Sequence, residues 1–389
     1  MKVHPRDAVK ISAIQARTLS LNAGAGFQKP GGIGPDAVGN LVERIGFVQI
    51  DTISVVERAH HHIIASRLPG YKVEWLETAP VFEYWAHAAA YLPWKDFRHT
   101  LPRKERIRSA GHDWFRVEQA ETERVMERIR AEGPLMARDF EAPRKTVGWW
   151  DWKPSKRALE YLFHAGELMA LPRRGFQKVL DLTERVLAGA PPGTELRSPT
   201  PEEHAAWYVD RALDAWGIVA LDEIAYQRRE HVKLIERVLA DGEDAGELGR
   251  IQVEGIPKTV YWARNSDVEK CDTPIHNGRE LFILSPFDPF LIHRKRIRRL
   301  FNFDFTIECY VPEARRTFGY FALPLLRGTG FVGLLDAKAD RPARTLLVNR
   351  IRYDGPARQK PVFDRALEKA LERFAAFNGL ETWKHREGK

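Results

Sequence analysis

The chain has 389 residues, 44% of them hydrophobic, which exceeds one ordinary domain and leaves room for two to four units with their own cores. Its 61 Lys and Arg outnumber 53 Asp and Glu, for a formal charge of +8; that excess suits a polyanionic partner without naming one. No apolar run reaches the roughly 18 residues of a membrane span, and the first residues lack a signal-peptide core. Cys271 and Cys309 have no C-x-x-C spacing, which argues against a cysteine zinc site and points to reduced thiols in a cytoplasmic, nucleoid-associated protein.

In chain order, residues 7–45 read as helix, Gly-rich loop (22–34), helix, with Asp36 placed as a cap and Gly46 as a stop. Residues 47–53 are short, β-branched and alternating, so an extended segment is predicted; 54–66 return to helix. Residues 80–132 read as interrupted helix, including the aromatic stretch from Val81 to His87. A short helix through Phe140, a helix over 155–166 and two strands flanking Arg173 and Arg174 follow. That is the winged-helix order, with the second long helix as groove reader and the hairpin as wing.

A looser copy follows: helices over 202–216, 221–225 and 228–240, then a hairpin over 251–262. Residues 190–201 read as a linker. Beyond 280 the pattern changes to strands at 305–310, 317–323, 330–336 and 345–353, closed by a helix over 362–378. The expected fold class is α+β, tandem winged-helix (helix-turn-helix) units with a C-terminal β-rich domain. The expected divisions are 1–115, 116–190, 200–265 and 280–389.

Gln49 and Asp51 lie two apart in the extended segment, so both side chains point to one face. An amide and a carboxylate there can hold a water or face a developing cation. The same residues also fit a blander use, with Asp51 capping a helix from Ser54 and Gln49 on the surface. His60, His61 and His62 are consecutive, point different ways on a helix and do not share a metal easily; His60, near Arg58, is a candidate phosphate or base contact. Tyr84, Trp85 and His87 either stack on bases or pack between units, packing being the commoner use. Arg294, Lys295, Arg296, Arg298 and Arg299 form the densest basic run, with no acid to interrupt it, and suit phosphates. Arg103 with Lys104, Arg173 with Arg174, and Arg315 with Arg316 sit at turns or helix starts, where backbone contacts are placed. No phosphate loop, nucleophile elbow or dinucleotide fingerprint occurs, and neither cofactor nor metal is expected.

Phe47-Val48-Gln49-Ile50-Asp51-Thr52-Ile53, then Arg58-Ala59-His60 and Ser66-Arg67-Leu68, resembles the signature region of the AlkZ/YcaQ-type winged-helix DNA glycosylases. The resemblance runs on through Phe82 to His87, the wing, Leu284 to Asp288, Arg294-Lys295-Arg296, Glu308-x-Tyr310-x-Pro312, Gly319-Tyr320 and Asp336-x-Lys338-x-Asp340-Arg341. Two positions depart: Leu335 stands where the family often has Arg, and His61 where it often has Tyr. The resemblance places the catalytic Gln-x-Asp motif on Gln49 and Asp51. It implies a monofunctional glycosylase that hydrolyses the N-glycosidic bond of N7-alkylguanine and unhooks interstrand crosslinks. The implied partner is double-stranded DNA with alkylated or crosslinked bases, bound by a monomer away from any membrane. The competing readings are a non-catalytic winged-helix transcriptional regulator, in which Asp51 has no task, and a metal-dependent nuclease, for which no convincing carboxylate cluster exists.

Overall fold

The computed structural model describes residues 8–24, 26–27, 32–111, 115, 117–140, 154–226, 229–273 and 278–386. The expected loop over 22–34 and the expected helix start at Arg228 fall partly outside them. The fold is mixed α+β, and the chain forms two compact units, one from residues 1–72 and 201–389 and the other from 73–200. Among the described residues no helix is long and apolar enough to cross a membrane.

The first unit carries a five-stranded sheet ordered Leu281–Ile283, Ala322–Arg327, Gly330–Asp340, Thr345–Tyr353, Thr382–His385, antiparallel except for its last pair. Leu323, Leu325, Leu335, Ala337, Leu346 and Val348 project from one face against Phe363, Leu367, Leu371 and Phe374 of the helix Lys360–Phe377. Strand period two meets helix period near four here, and each supplies one apolar face. Val56 and Ala59 belong to the same core, so the sheet fixes a segment nearly three hundred residues earlier in the chain. A second sheet pairs Val9–Ile11 in parallel with Leu248–Val253, followed by Val260–Arg264 and Ile218–Ala220.

The expected strand over 305–310 does not form. Its alternation survives in burial, with Phe303 and Phe305 inside and Asp304 and Thr306 outside, but side chains rather than a ladder hold the segment. Phe303 stacks on Phe331 with ring centroids 4.5 Å apart. The strand expected at 317–323 begins only at Ala322.

In the second unit the helix Gln119–Glu132 is followed by Leu135–Met136, a 3-10 turn over Ala137–Phe140, the helix Pro154–Ala165 and the hairpin Leu168–Arg174/Gln177–Leu182. The hairpin turns at Gly175 and Phe176, both at positive φ (55° and 70°), the geometry that matches strand twist in two-residue turns. The turn thus lies two residues beyond the predicted one. Eight of the twelve residues of Pro154–Ala165 are buried, so the helix expected to read a groove is mainly packed. The stretch expected as helix from residue 80 is instead the antiparallel pair Val81–Trp85 and Ala89–Pro93. Its aromatic and β-branched content favours a pleated surface once a partner strand exists. In the first unit the order helix Pro201–Trp216, strand Ile218–Ala220, helix Leu221–Ile224, helix Val232–Asp244, hairpin repeats the arrangement.

Candidate active site

The helix Pro35–Ile45 prepares the site. Pro35 sits in its first turn, where a missing amide leaves no bond unmade. Gly46 ends it at φ 88° and donates to the Val42 carbonyl at 2.9 Å. The chain then enters Val48–Gln49. Val48, Gln49 and Ile50 are all buried, Asp51 is half-buried and Thr52 is exposed, so enclosure grades along the segment instead of alternating.

The Asp51 carboxylate accepts the Ile53 amide at 2.8 Å, a turn closed by its own side chain. The helix expected from Ser54 starts only at Ala59, with Arg58 at its cap; Asp51 therefore caps no helix there. The reason is tertiary. The Ala339 amide donates to the Val55 carbonyl at 2.8 Å, and the Glu57 amide donates to Asn378 Oδ1 at 2.6 Å. Backbone groups that a helix would use internally are taken by the sheet and the last helix. Burial pushes the Asp51 carboxyl above the ordinary carboxylate range, and the amides of Ile53 and Thr52 offset part of the rise.

The loop between Phe301 and Phe321 reaches the same place. Burial first and then the Asp51 charge push up both the Cys309 thiol and the Tyr310 hydroxyl, while Arg294 pulls Cys309 the other way. Asp51 is thus an electrostatic neighbour of Cys309 and Tyr310, and Arg294 of Cys309. The resemblance includes Tyr310 in the stretch Glu308-x-Tyr310-x-Pro312 but gives it no role, and the strand expected there gives way to a loop that leaves it exposed.

Other expected contacts are distributed unevenly. His60 is buried beside His61, with ring centroids 4.3 Å apart, which removes it from direct DNA contact. His61 Nδ1 lies 2.8 Å from the Tyr71 hydroxyl. His62 donates through Nε2 to the Ile283 carbonyl at 2.9 Å, and burial lowers it to about 4. Arg58 is half-buried. The basic run forms the helix Arg294–Phe301, whose first turn is capped when His293 Nδ1 accepts the Arg296 amide at 3.1 Å. Arg294, Lys295 and Arg298 are exposed. Arg296 is 0% exposed and salt-bridged to Glu223 at 3.2 Å, and the half-buried Arg299 meets Asp222 and Glu223, each at 3.0 Å. The expectation that the whole run faces phosphate is corrected at Arg296, because helical spacing puts it with Ile297 and Leu300 on the inner face. Arg315 is exposed, and Arg316 lies over the Tyr320 ring at 4.9 Å.

Within the second unit, Tyr84 is buried and its hydroxyl donates to the His164 carbonyl at 2.7 Å. Lys104 is buried over the Phe97 and Tyr84 rings at 4.2 and 4.8 Å, and burial lowers its ammonium to about 7. Arg173 grips Glu83 with two bonds of 2.8 and 2.7 Å. These three serve packing and internal pairing instead of direct DNA contact. Trp85, His87 and Arg103 are half-buried, with Arg103 5.4 Å above Trp85, and Arg174 is exposed. Among the described residues no three His, Cys, Asp or Glu gather as a metal-binding group.

Comparison with known proteins narrows the chemistry. The structure is similar to that of Streptomyces sahachiroi DNA glycosylase AlkZ, with a TM-score of 0.62 and 15% identity, covering 97% of this chain and 100% of that one; at that identity the likeness is one of fold. Residues 42–377 match the family described as DNA glycosylase AlkZ-like. That match includes Gln49, Asp51 and the loop around Tyr310, and because it spans most of the chain, this protein belongs to the AlkZ-like family and is a DNA glycosylase.

Proposed function

We propose that Gln49 and Asp51 excise N7-alkylguanine from double-stranded DNA by direct hydrolysis, with no covalent enzyme intermediate. The observation that carries this reading is the Asp51 carboxylate, half-buried and held through Ile53 on a segment pinned to the sheet. N7 alkylation already makes the base a cation, so it leaves without a general acid. The remaining need is to stabilise the sugar cation and deliver a water. A partly desolvated carboxylate serves the first purpose, and its raised pKa makes it a better proton acceptor for the second. Gln49 places the water.

The repeated order of helix, strand, short helix, helix, hairpin supports a tandem winged-helix architecture. Arg294, Lys295, Arg298 and Arg315 are exposed cations suited to phosphates. An exposed loop within reach of the Asp51 charge suits a bulky crosslinked base, and we extend the reading to crosslink unhooking by a monomer. The test is release of free 7-methylguanine from methylated duplex DNA, with heat-labile abasic sites as readout. Release without added metal is expected; loss on chelation with recovery on adding a divalent ion would overturn it.

A further inference from the structure

The loop that brings Tyr310 to Asp51 is built with unusual firmness for a surface segment. On its near side Phe303 stacks on Phe331. On its far side Glu308 turns inward, and its buried carboxylate accepts four hydrogen bonds: from the Thr317 amide at 2.8 Å, the Thr317 hydroxyl at 2.5 Å, the Phe318 amide at 2.8 Å and the Gly319 amide at 3.0 Å. Burial opposes the charge on Glu308, yet these bonds outweigh it and hold the carboxyl at about 2. The Val311 amide closes a turn on the Glu308 carbonyl at 2.9 Å, around Cys309 and Tyr310. The loop is therefore tied on both sides of Tyr310, while Tyr310 itself is 79% exposed.

Single exposed apolar residues are ordinary on protein surfaces. This one differs in its mounting and in its neighbours. Its loop is preorganised, so a ligand meeting the ring does not have to order it. The Asp51 charge reaches the Tyr310 hydroxyl, and Arg316, over the Tyr320 ring, belongs to the same loop. An exposed ring on a tied loop, within reach of the Asp51 charge and on the same loop as a guanidinium, matches a nucleotide whose base lies on the ring, whose sugar faces the carboxylate and whose phosphate meets the guanidinium. A cationic base gains further on a phenol face.

We propose that Tyr310 lays its ring against the alkylated base whose glycosidic bond faces Asp51, and so gives the site its preference for damaged over intact DNA. The proposal rests on the assignment of Asp51 above. Two readouts separate the failures: equilibrium binding to a 7-methylguanine duplex against an unmodified duplex, and single-turnover release of 7-methylguanine. Tyr310→Ala is expected to raise the half-saturating protein concentration for the methylated duplex about tenfold and to remove the binding preference, with thermal melting unchanged because the ring is exposed. Tyr310→Phe keeps most of the preference. Asp51→Asn loses the rate and keeps the preference. If the wild type prefers methylated DNA through Tyr310 but releases no base, the Asp51 assignment falls and Tyr310 stands as a lesion contact. If the wild type releases base and Tyr310→Ala matches it within twofold in both readouts, Tyr310 falls alone. Equal damage by Phe and Ala, or no binding preference in the wild type, also overturns the proposal.

Discussion

Glu223 is fully enclosed, with Arg296 at 3.2 Å and Arg299 at 3.0 Å, and Arg296 is tied further to Ser20 Oγ and to the Trp216 and Ile218 carbonyls. Asp51 is half-buried, and its hydrogen bonds come from the amides of Ile53 and Thr52. Burial raises both carboxyls; the difference lies in what opposes it. Around Glu223, guanidinium groups neutralise the charge where it stands and lock two distant segments together. Around Asp51, backbone dipoles fix the carboxylate's direction and leave it able to answer a charge that develops later. The first arrangement is a scaffold and the second suits a reaction.

The largest expected effect breaks the scaffold. Glu223→Ala leaves Arg296 buried without its counter-ion, and urea unfolding should show a loss of about 3–5 kcal/mol. A loss below about 1 kcal/mol would mean that Arg296 reaches water and that the contrast with Asp51 is weaker than drawn.

Asp51→Asn should cut the excision rate about 30- to 1000-fold, the scale of one preorganised electrostatic group at about 2–4 kcal/mol, with DNA affinity within about threefold. Asn preserves the oxygen that accepts the Ile53 amide, so a purely structural Asp51 predicts near-wild-type excision. A rate above half the wild-type value would remove the catalytic assignment.

The sign of the pH dependence sharpens the comparison. The Asp51 pKa is raised in the folded chain, so the excision rate should fall, as pH drops, at a value above the ordinary aspartate pKa of about 3.9. For stability the direction reverses: ionising Asp51 is harder folded than unfolded, so stability falls as pH rises from the unfolded pKa to the folded one, and the loss is complete above it. Asp51→Asn at neutral pH should therefore unfold no more easily than wild type in the same urea titration. A clear destabilisation would show that the charged form is favoured by the fold.

Gln49→Ala should slow excision less, by up to about tenfold, since water partly replaces a neutral amide. A loss as large as that of Asp51→Asn would give Gln49 more than water placement. Smallest is the effect at the exposed Lys295. Lys295→Glu should flatten the slope of log affinity against log salt by about one unit, and an unchanged slope would turn this helix face away from DNA.

The amino-acid order alone determined the elements whose signals lie within a few residues of each other. Gly46 ends its helix as expected, although that helix starts at Pro35 and Asp36, the expected cap, lies within its first turn; Thr345–Tyr353 forms at its predicted bounds, and the hairpin after Ala165 is displaced by only two residues at its turn. The Gln49-x-Asp51 spacing was legible for the same reason, since caps, turns and periods are properties of neighbouring side chains. Only the tertiary structure decided which charges face water. Arg296 and Lys295 are adjacent in the chain, yet one is sealed against Glu223, 73 positions away, and the other is exposed. Likewise the segment after Asp51 gave up its helix to bonds with Ala339 and Asn378, and 305–310 became a loop held by Phe331 and by the grip of Glu308 on Thr317 to Gly319. In each case the deciding partner is remote, and its interaction outweighs a local preference worth no more than about 1 kcal/mol per residue.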